Sequence, residues 1–189
     1  MVARPPLRVQ VEPMTVHDID DVQRVERASF PVPWPAYALR QEVETNRLAR
    51  YLVIRAGGRI VGYAGVWLMV DEAHITTFAI LPDWRRRGLG GRLMLDVMRL
   101  ADELGARVAT LEVRLSNLAA QRMYQRFGFR PVGVRPRYYS DNAEDALIMT
   151  SPPLGTLEMG NRLAALARRY ENRPLEDAPD PESRDGDQR

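Results

Sequence analysis

The sequence predicts a single α/β (α+β) domain folded around a mixed, mostly antiparallel sheet and followed by a tail. Three observations carry this. At 189 residues and 45% hydrophobic content, the chain is long enough for one well-filled core and too short for two. Its β-rich runs and helical periodicities follow the order strand, two helices, three strands, helix, strand, helix, two strands. Two of the β-rich runs are separated only by Ala56-Gly57-Gly58, a turn signal that makes them a hairpin.

Residues 9–11 read as a short first strand. An acid-capped helix is expected over 16–29, with Ile19, Val22 and Val25 on one face. Pro31, Pro33 and Pro35 cannot continue it, so residues 30–35 become a fixed, extended segment carrying Phe30 and Trp34. A second helix follows over 36–45, then the hairpin strands at 51–55 and 60–70, then a strand at 73–81. Residues 88–105 hold Leu89, Leu93, Val97, Leu100 and Leu104 at helical spacing, and 108–115 returns to strand. A short helix over 118–127 ends at Gly128, and strands near 129–134 and 146–150 complete a domain spanning 1–153. Within 154–173, residues 154–170 can form one more amphipathic helix, with Leu157, Leu163, Leu166 and Tyr170 as its apolar positions. Three prolines and six acidic residues in the sixteen positions 174–189 predict a disordered acidic tail.

Composition removes several chemistries. Without cysteine there is no disulfide, no thiolate metal site and no acyl-cysteine intermediate. Two histidines, His17 and His74, make a histidine metal site a poor expectation. All 27 basic residues are arginine, so the chain has no lysine of its own to acylate. The net charge is only +2, and basicity is thus weak evidence for a nucleic-acid partner. No apolar run reaches the length of a membrane span and the start lacks a secretory signal, so a cytoplasmic protein with no membrane partner is expected.

Two segments carry chemistry. Arg85-Arg86-Arg87-Gly88-Leu89-Gly90-Gly91-Arg92 stands where a strand ends and a long helix begins. Unpartnered backbone N–H groups at a helix start, with glycines that let a ligand approach closely, make a plausible phosphate cradle. A solvated arginine loop and a nucleic-acid contact are the competing readings. In the second segment, Leu111-Glu112-Val113-Arg114-Leu115-Ser116-Asn117, strand alternation puts Thr110, Glu112 and Arg114 on one face. Taken alone, Glu112 is a solvent-facing carboxylate paired with Arg114, Asn117 an N-cap, and Tyr124 a half-buried packing residue on the same helix face as Asn117.

In family order, the chain shows Phe78-Ala79-Ile80, the Arg-Arg-x-Gly-x-Gly segment, Leu-Glu-Val-Arg-x-Ser-Asn and the helix Tyr124 with Gly128-Phe129 after it; Arg137-Tyr138-Tyr139 then precedes Glu144-Asp145-Ala146. Together these resemble the GNAT superfamily of N-acetyltransferases and, within it, the RimI-like ribosomal-protein alanine N-acetyltransferases, over about residues 9–153. The resemblance implies a GNAT fold whose sheet is flanked by about four helices and whose strands splay at an acetyl-CoA site. Acetyl-CoA would be the co-substrate, with no metal. It would lie against the backbone of Phe78, Ala79 and Ile80, with its pyrophosphate on Arg86, Arg87, Gly88, Leu89, Gly90 and Gly91 and its pantetheine arm at Asn117. Glu112 corresponds to the family's general base and Tyr124 to its general acid, with His74 and Glu72 as competing bases on the preceding strand. Phe30, Trp34, Tyr138 and Tyr139 would line the mouth for an acceptor peptide.

The implied acceptor is the N-terminal α-amine, expected to be alanine, of a small-subunit ribosomal protein. Other N-termini or a small amine are the alternative within the enzyme class, and a catalytically silent acyl-CoA-binding module the alternative outside it. An α-amine fits best: at pH 7, uncovering its lone pair costs about 1.4 kcal/mol, against about 4.6 kcal/mol for a lysine amine. A carboxylate at its ordinary pKa is a poor base for either, so Glu112 is expected to act through a water or to be raised by burial.

Overall fold

The computed structural model describes residues 6–172 and Leu175. Seven strands, β1 (Val9–Pro13), β2 (Ala49–Ala56), β3 (Arg59–Met69), β4 (Glu72–Ile80), β5 (Val108–Arg114), β6 (Arg130–Tyr139) and β7 (Glu144–Thr150), form one sheet in the order β1-β2-β3-β4-β5-β7-β6. Every neighbouring pair is antiparallel except β4 and β5. The parallel step follows from the connection, because α3 (Leu89–Glu103) carries the chain across the sheet between those strands. Four further α-helices are described: α1 (Ile19–Ser29), α2 (Ala36–Glu44), α4 (Leu118–Arg126) and α5 (Leu157–Tyr170).

The sheet divides the core. One layer packs β2–β5 residues such as Leu52, Ile54, Val66, Ile75 and Leu111 against Leu93, Met94 and Met98 of α3, with Tyr124, Phe127 and Phe129 continuing it. The other packs Val22, Val25 and Leu39 of α1 and α2 on Val53, Ile60, Tyr63 and Ala79. Apolar residues at helical spacing in α1 and α3, and alternating ones in the strands, produce these layers.

Two elements differ from the sequence reading. Residues 16–18 form a 3-10 turn before α1, because the Thr15 backbone N–H and hydroxyl both donate to the Asp18 carboxylate, at 2.8 and 2.9 Å. Strand β6 extends to Tyr139, past the expected end at Val134, and tolerates Pro131 and Pro136 because it is an edge strand with register shifts at both places.

The feature that organises the site is a splay. The β4–β5 register runs from Glu72 opposite Val108 to Ile75 opposite Leu111 and stops there. Opposite β3, Gly65 pairs with Thr77 but Val66 pairs with Ile75, so Thr76 is an extra residue that bulges β4 at that point. The rest of β5 pairs only with β7, and a cleft opens between β4 and β5.

Helix α5 returns onto the domain. Its N-cap Thr156 accepts from the Met159 N–H, and Met159, Leu163, Ala167 and Tyr170 are buried. The Tyr170 ring stacks on Phe127 with centroids 6.2 Å apart. Beyond the helix, Leu175 is 4% exposed and Leu7 donates its N–H to the Leu175 carbonyl at 3.2 Å. The rest of the segment expected to be disordered lies outside the described residues. Among the described residues, no helix is long and apolar enough to cross a membrane, and no group of three or more His, Asp and Glu side chains could hold a metal ion.

Candidate active site

On the α1/α2 side of the sheet, the parallel register sets His74 beside Thr110, one alternation step from Glu112. His74 Nε2 lies 2.6 Å from Glu112 Oε2, and Arg135 Nε of β6 donates to Glu112 Oε1 at 3.0 Å. The Glu112 side chain is only 8% exposed. The hydrogen bond from His74 is the main influence holding its carboxyl below the ordinary carboxylate value, against the opposing effect of burial and with the charge of Arg135 adding to it. The expectation that burial raises Glu112 therefore fails, because burial comes with a hydrogen bond from His74 and the charge of Arg135. Nor does Glu112 pair with Arg114, as the isolated strand suggested.

Arg114 is drawn instead to the β6–β7 hairpin, with Asp141 at 2.7 Å, Glu144 at 3.1 Å and Asn142 at 3.0 Å. Its guanidinium sits 3.8 Å from the centroid of Tyr139. Hydrogen bonds from Ser116, then those from Arg114 and Asn142, pull Glu144 down to about 2. This cluster fixes Tyr139 and leaves Tyr138, 47% exposed, edge-on to it at 5.2 Å and beside Arg135.

Tyr124 lies on the opposite face, in the α3 layer. It meets Phe78 edge-on at 6.2 Å and Phe129 at 5.9 Å, and burial pushes its hydroxyl pKa upward, with Tyr139 adding to the shift. Glu112 and Tyr124 thus approach the splay from opposite sides of the sheet.

At the end of β4, Arg85 Nε donates to the Ile80 carbonyl at 2.9 Å, so this arginine is engaged in shaping the loop. Gly88 caps α3 with φ 87°, a left-handed conformation that favours glycine. Gly91 is glycine for a different reason: a Cβ there would stand 2.2 Å from Tyr170 Cζ. Arg86 has φ 60°, and the Arg87 guanidinium lies 5.9 Å from the Trp84 ring. Asn117 caps α4, accepting from the Ala120 N–H at 3.1 Å.

Across the cleft, Phe30 packs on the α1/α2 core layer and Trp34 is 38% exposed. Sequence reasoning missed what holds them, namely Gln23 and Glu26 of α1. The available signal was Glu26 itself, four residues after Val22 on an otherwise apolar stripe. It also missed Arg135, whose approach to Glu112 depends on the pairing of β6 with β7.

Residues 19–129 match the Acetyltransferase (GNAT) family. The chain is 44% identical over 142 residues to a Bacillus subtilis protein provisionally described as a ribosomal protein bS18-alanine N-acetyltransferase, a match covering 75% of this chain and 94% of that one. It is 31% identical over 139 residues to the ribosomal protein bS18-alanine N-acetyltransferase of Escherichia coli K12, covering 71% and 91%. The crystal structure of the ribosomal-protein-S18-alanine N-acetyltransferase from Escherichia coli superposes with a TM-score of 0.72 at 26% identity, covering 80% of this chain and 97% of that one. The splayed seven-stranded sheet, the glycine-capped α3 and these similarities together establish that the chain belongs to the GNAT family of acetyltransferases.

Proposed function

We propose that this enzyme moves the acetyl group of acetyl-CoA directly onto the N-terminal α-amine, an alanine, of a small-subunit ribosomal protein of the bS18 type in the cytoplasm. The observation that carries the chemistry is the His74–Glu112 pair at the mouth of the splay, facing Tyr124 across the sheet. The acceptor rests on the relatives, whose length this chain spans almost fully.

The cleft fits the donor. Beyond Ile75, β4 has no strand on its β5 side, and the start of α3 supplies N–H groups for a pyrophosphate, with Arg86, Arg87, Gly88, Leu89, Gly90 and Gly91 around them. Asn117 uses its side-chain oxygen as a cap, so a contact with the pantetheine arm falls to its amide nitrogen.

Glu112, held in its ionised form, is too weak to deprotonate an ammonium alone. With Nε2 of His74 donating to it, Nδ1 carries the imidazole lone pair, and the carboxylate orients the ring and stabilises the cation formed when that nitrogen takes the proton. The uncovered amine attacks the thioester carbonyl, forming the C–N bond and a tetrahedral oxyanion. On collapse the C–S bond breaks, and Tyr124, whose pKa is raised, keeps its proton until it donates it to the leaving thiolate; the nitrogen, cationic after the attack, gives up its extra proton to solvent, and solvent returns one to the tyrosinate. Phe30, Trp34, Tyr138 and Tyr139 wall the acceptor side.

The test is thiol release from acetyl-CoA with peptides differing at their first residue, including an N-terminally blocked, lysine-containing control. Turnover confined to free N-termini, strongest with alanine and sharply reduced in Glu112→Gln and His74→Ala, is expected. Acetylation of lysine alone, or of a small amine alone, would overturn the acceptor assignment.

A further inference from the structure

Glu26 is 1% exposed, and no step of acetyl transfer uses it. A carboxylate in that position is costly unless its oxygens are hydrogen-bonded. One accepts from the Tyr63 hydroxyl, and the other accepts from the Trp34 backbone N–H at 2.8 Å. One helical turn earlier, Gln23 Nε2 donates to the Trp34 carbonyl at 2.6 Å. Side chains of α1 therefore hold both backbone polar groups of Trp34. In a segment where Pro31, Pro33 and Pro35 supply no N–H, this grip fixes the path of the chain.

The network does not end at the loop. The Tyr63 oxygen lies 3.0 Å from Thr77 Oγ1, and because the Tyr63 proton goes to Glu26, Thr77 donates to Tyr63. Thr77 follows the bulged Thr76 and precedes Phe78, Ala79 and Ile80 on the splayed strand. A continuous chain of hydrogen bonds, Trp34 to Glu26 to Tyr63 to Thr77, joins the loop on one wall of the cleft to the strand on the other.

We propose that Glu26 and Tyr63 are positioning residues for the acceptor, tying the Phe30 and Trp34 loop to β4 so that the acceptor wall and the acyl-donor strand keep one relative geometry. The inference rests on the reading of residues 30–34 as the acceptor wall. It predicts an asymmetric defect, because the donor's own contacts on α3 are left alone.

Tyr63→Phe keeps the ring and removes both hydroxyl bonds, Thr77→Val breaks only the far end, and Glu26→Gln retains an oxygen able to accept from Trp34 or Tyr63. Two readouts on the full chain test the proposal: exchange of the Trp34 amide followed by NMR without any acceptor, and separate KM values for an alanine-terminated peptide and for acetyl-CoA. In Tyr63→Phe, Trp34 exchange and the peptide KM should each rise about tenfold, the scale of one lost hydrogen bond to a charged group, while the acetyl-CoA KM stays within about twofold. Glu26→Gln should recover part of the loss relative to Glu26→Ala. Unchanged Trp34 exchange in folded Tyr63→Phe, or equal rises in both KM values, overturns the proposal; if that variant does not fold, the same criteria apply to Thr77→Val. Should no peptide react with the native enzyme, the proposed acceptor fails, and the exchange measurement alone decides the linkage.

Discussion

Replacing Gly91 by alanine sets two opposed effects against each other. Alanine in a helix is favoured over glycine by about 0.5–1 kcal/mol. Here its Cβ would stand 2.2 Å from Tyr170 Cζ and 2.3 Å from Cε1, and the ring cannot swing away freely because it is stacked on Phe127 and 8% exposed. Overpacking of this kind costs about 1–3 kcal/mol, so Gly91→Ala should destabilise the native enzyme by about 1–2 kcal/mol net. Tyr170→Ala alone should cost about 3–5 kcal/mol, as for other large buried aromatics. Once the ring is gone, the helix preference acts unopposed, and Gly91→Ala should become stabilising by about 0.5–1 kcal/mol. The coupling between the two sites is then about 1.5–3 kcal/mol with a reversal of sign, readable from urea-unfolding midpoints of the four proteins. Equal destabilisation by Gly91→Ala in both backgrounds would refute the assignment of Tyr170 as the reason for this glycine.

Tyr124→Phe preserves the packing against Phe78 and Phe129 while deleting the hydroxyl, so kcat should fall by about 10²–10⁴-fold with the KM for acetyl-CoA and the unfolding midpoint nearly unchanged; intact turnover in stopped-flow thiol release would remove Tyr124 as the proton donor. The Glu112 carboxyl is held below 4.5, so it contributes stability above its unfolded value and loses that contribution as pH falls through its lower folded value. The gap in melting temperature between the native enzyme and Glu112→Gln should accordingly be full near pH 6 and close as the solution is acidified from about 4.5 downward. A gap that widened in acid would contradict the hydrogen bond from His74 and the ion pair with Arg135.

Much of the fold was legible because periodicity is local. The stripe Ile19, Val22 and Val25 and the run from Leu89 to Leu104 announced α1 and α3, and Gly57-Gly58 announced the β2–β3 turn. Pairing across the sheet is not local. Alternation correctly placed Glu112 and Arg114 on one face, but their partners depend on the registers of β5 with β4 and β7 and of β7 with β6, which bring His74 and Arg135 to one residue and leave the other to Asp141 and Glu144. Helix α5 was visible as an amphipathic pattern, while the seat of its Tyr170 on Gly91 and Phe127, distant in the sequence, had no sequence signature. Gly91 consequently reads only as part of a phosphate loop, although a side chain there would also meet Tyr170.

The parallel joint between β4 and β5 also has a mechanical meaning. Only four residue pairs, Glu72 with Val108 through Ile75 with Leu111, stitch an N-terminal antiparallel half of the sheet to a C-terminal one. The other ladders are longer, from five pairs between β5 and β7 to eight between β2 and β3. The shortest ladder of the sheet therefore lies directly below the cleft. Peeling one or two pairs there would widen the groove while leaving the ladders of either half paired, as with two leaves on a short spine.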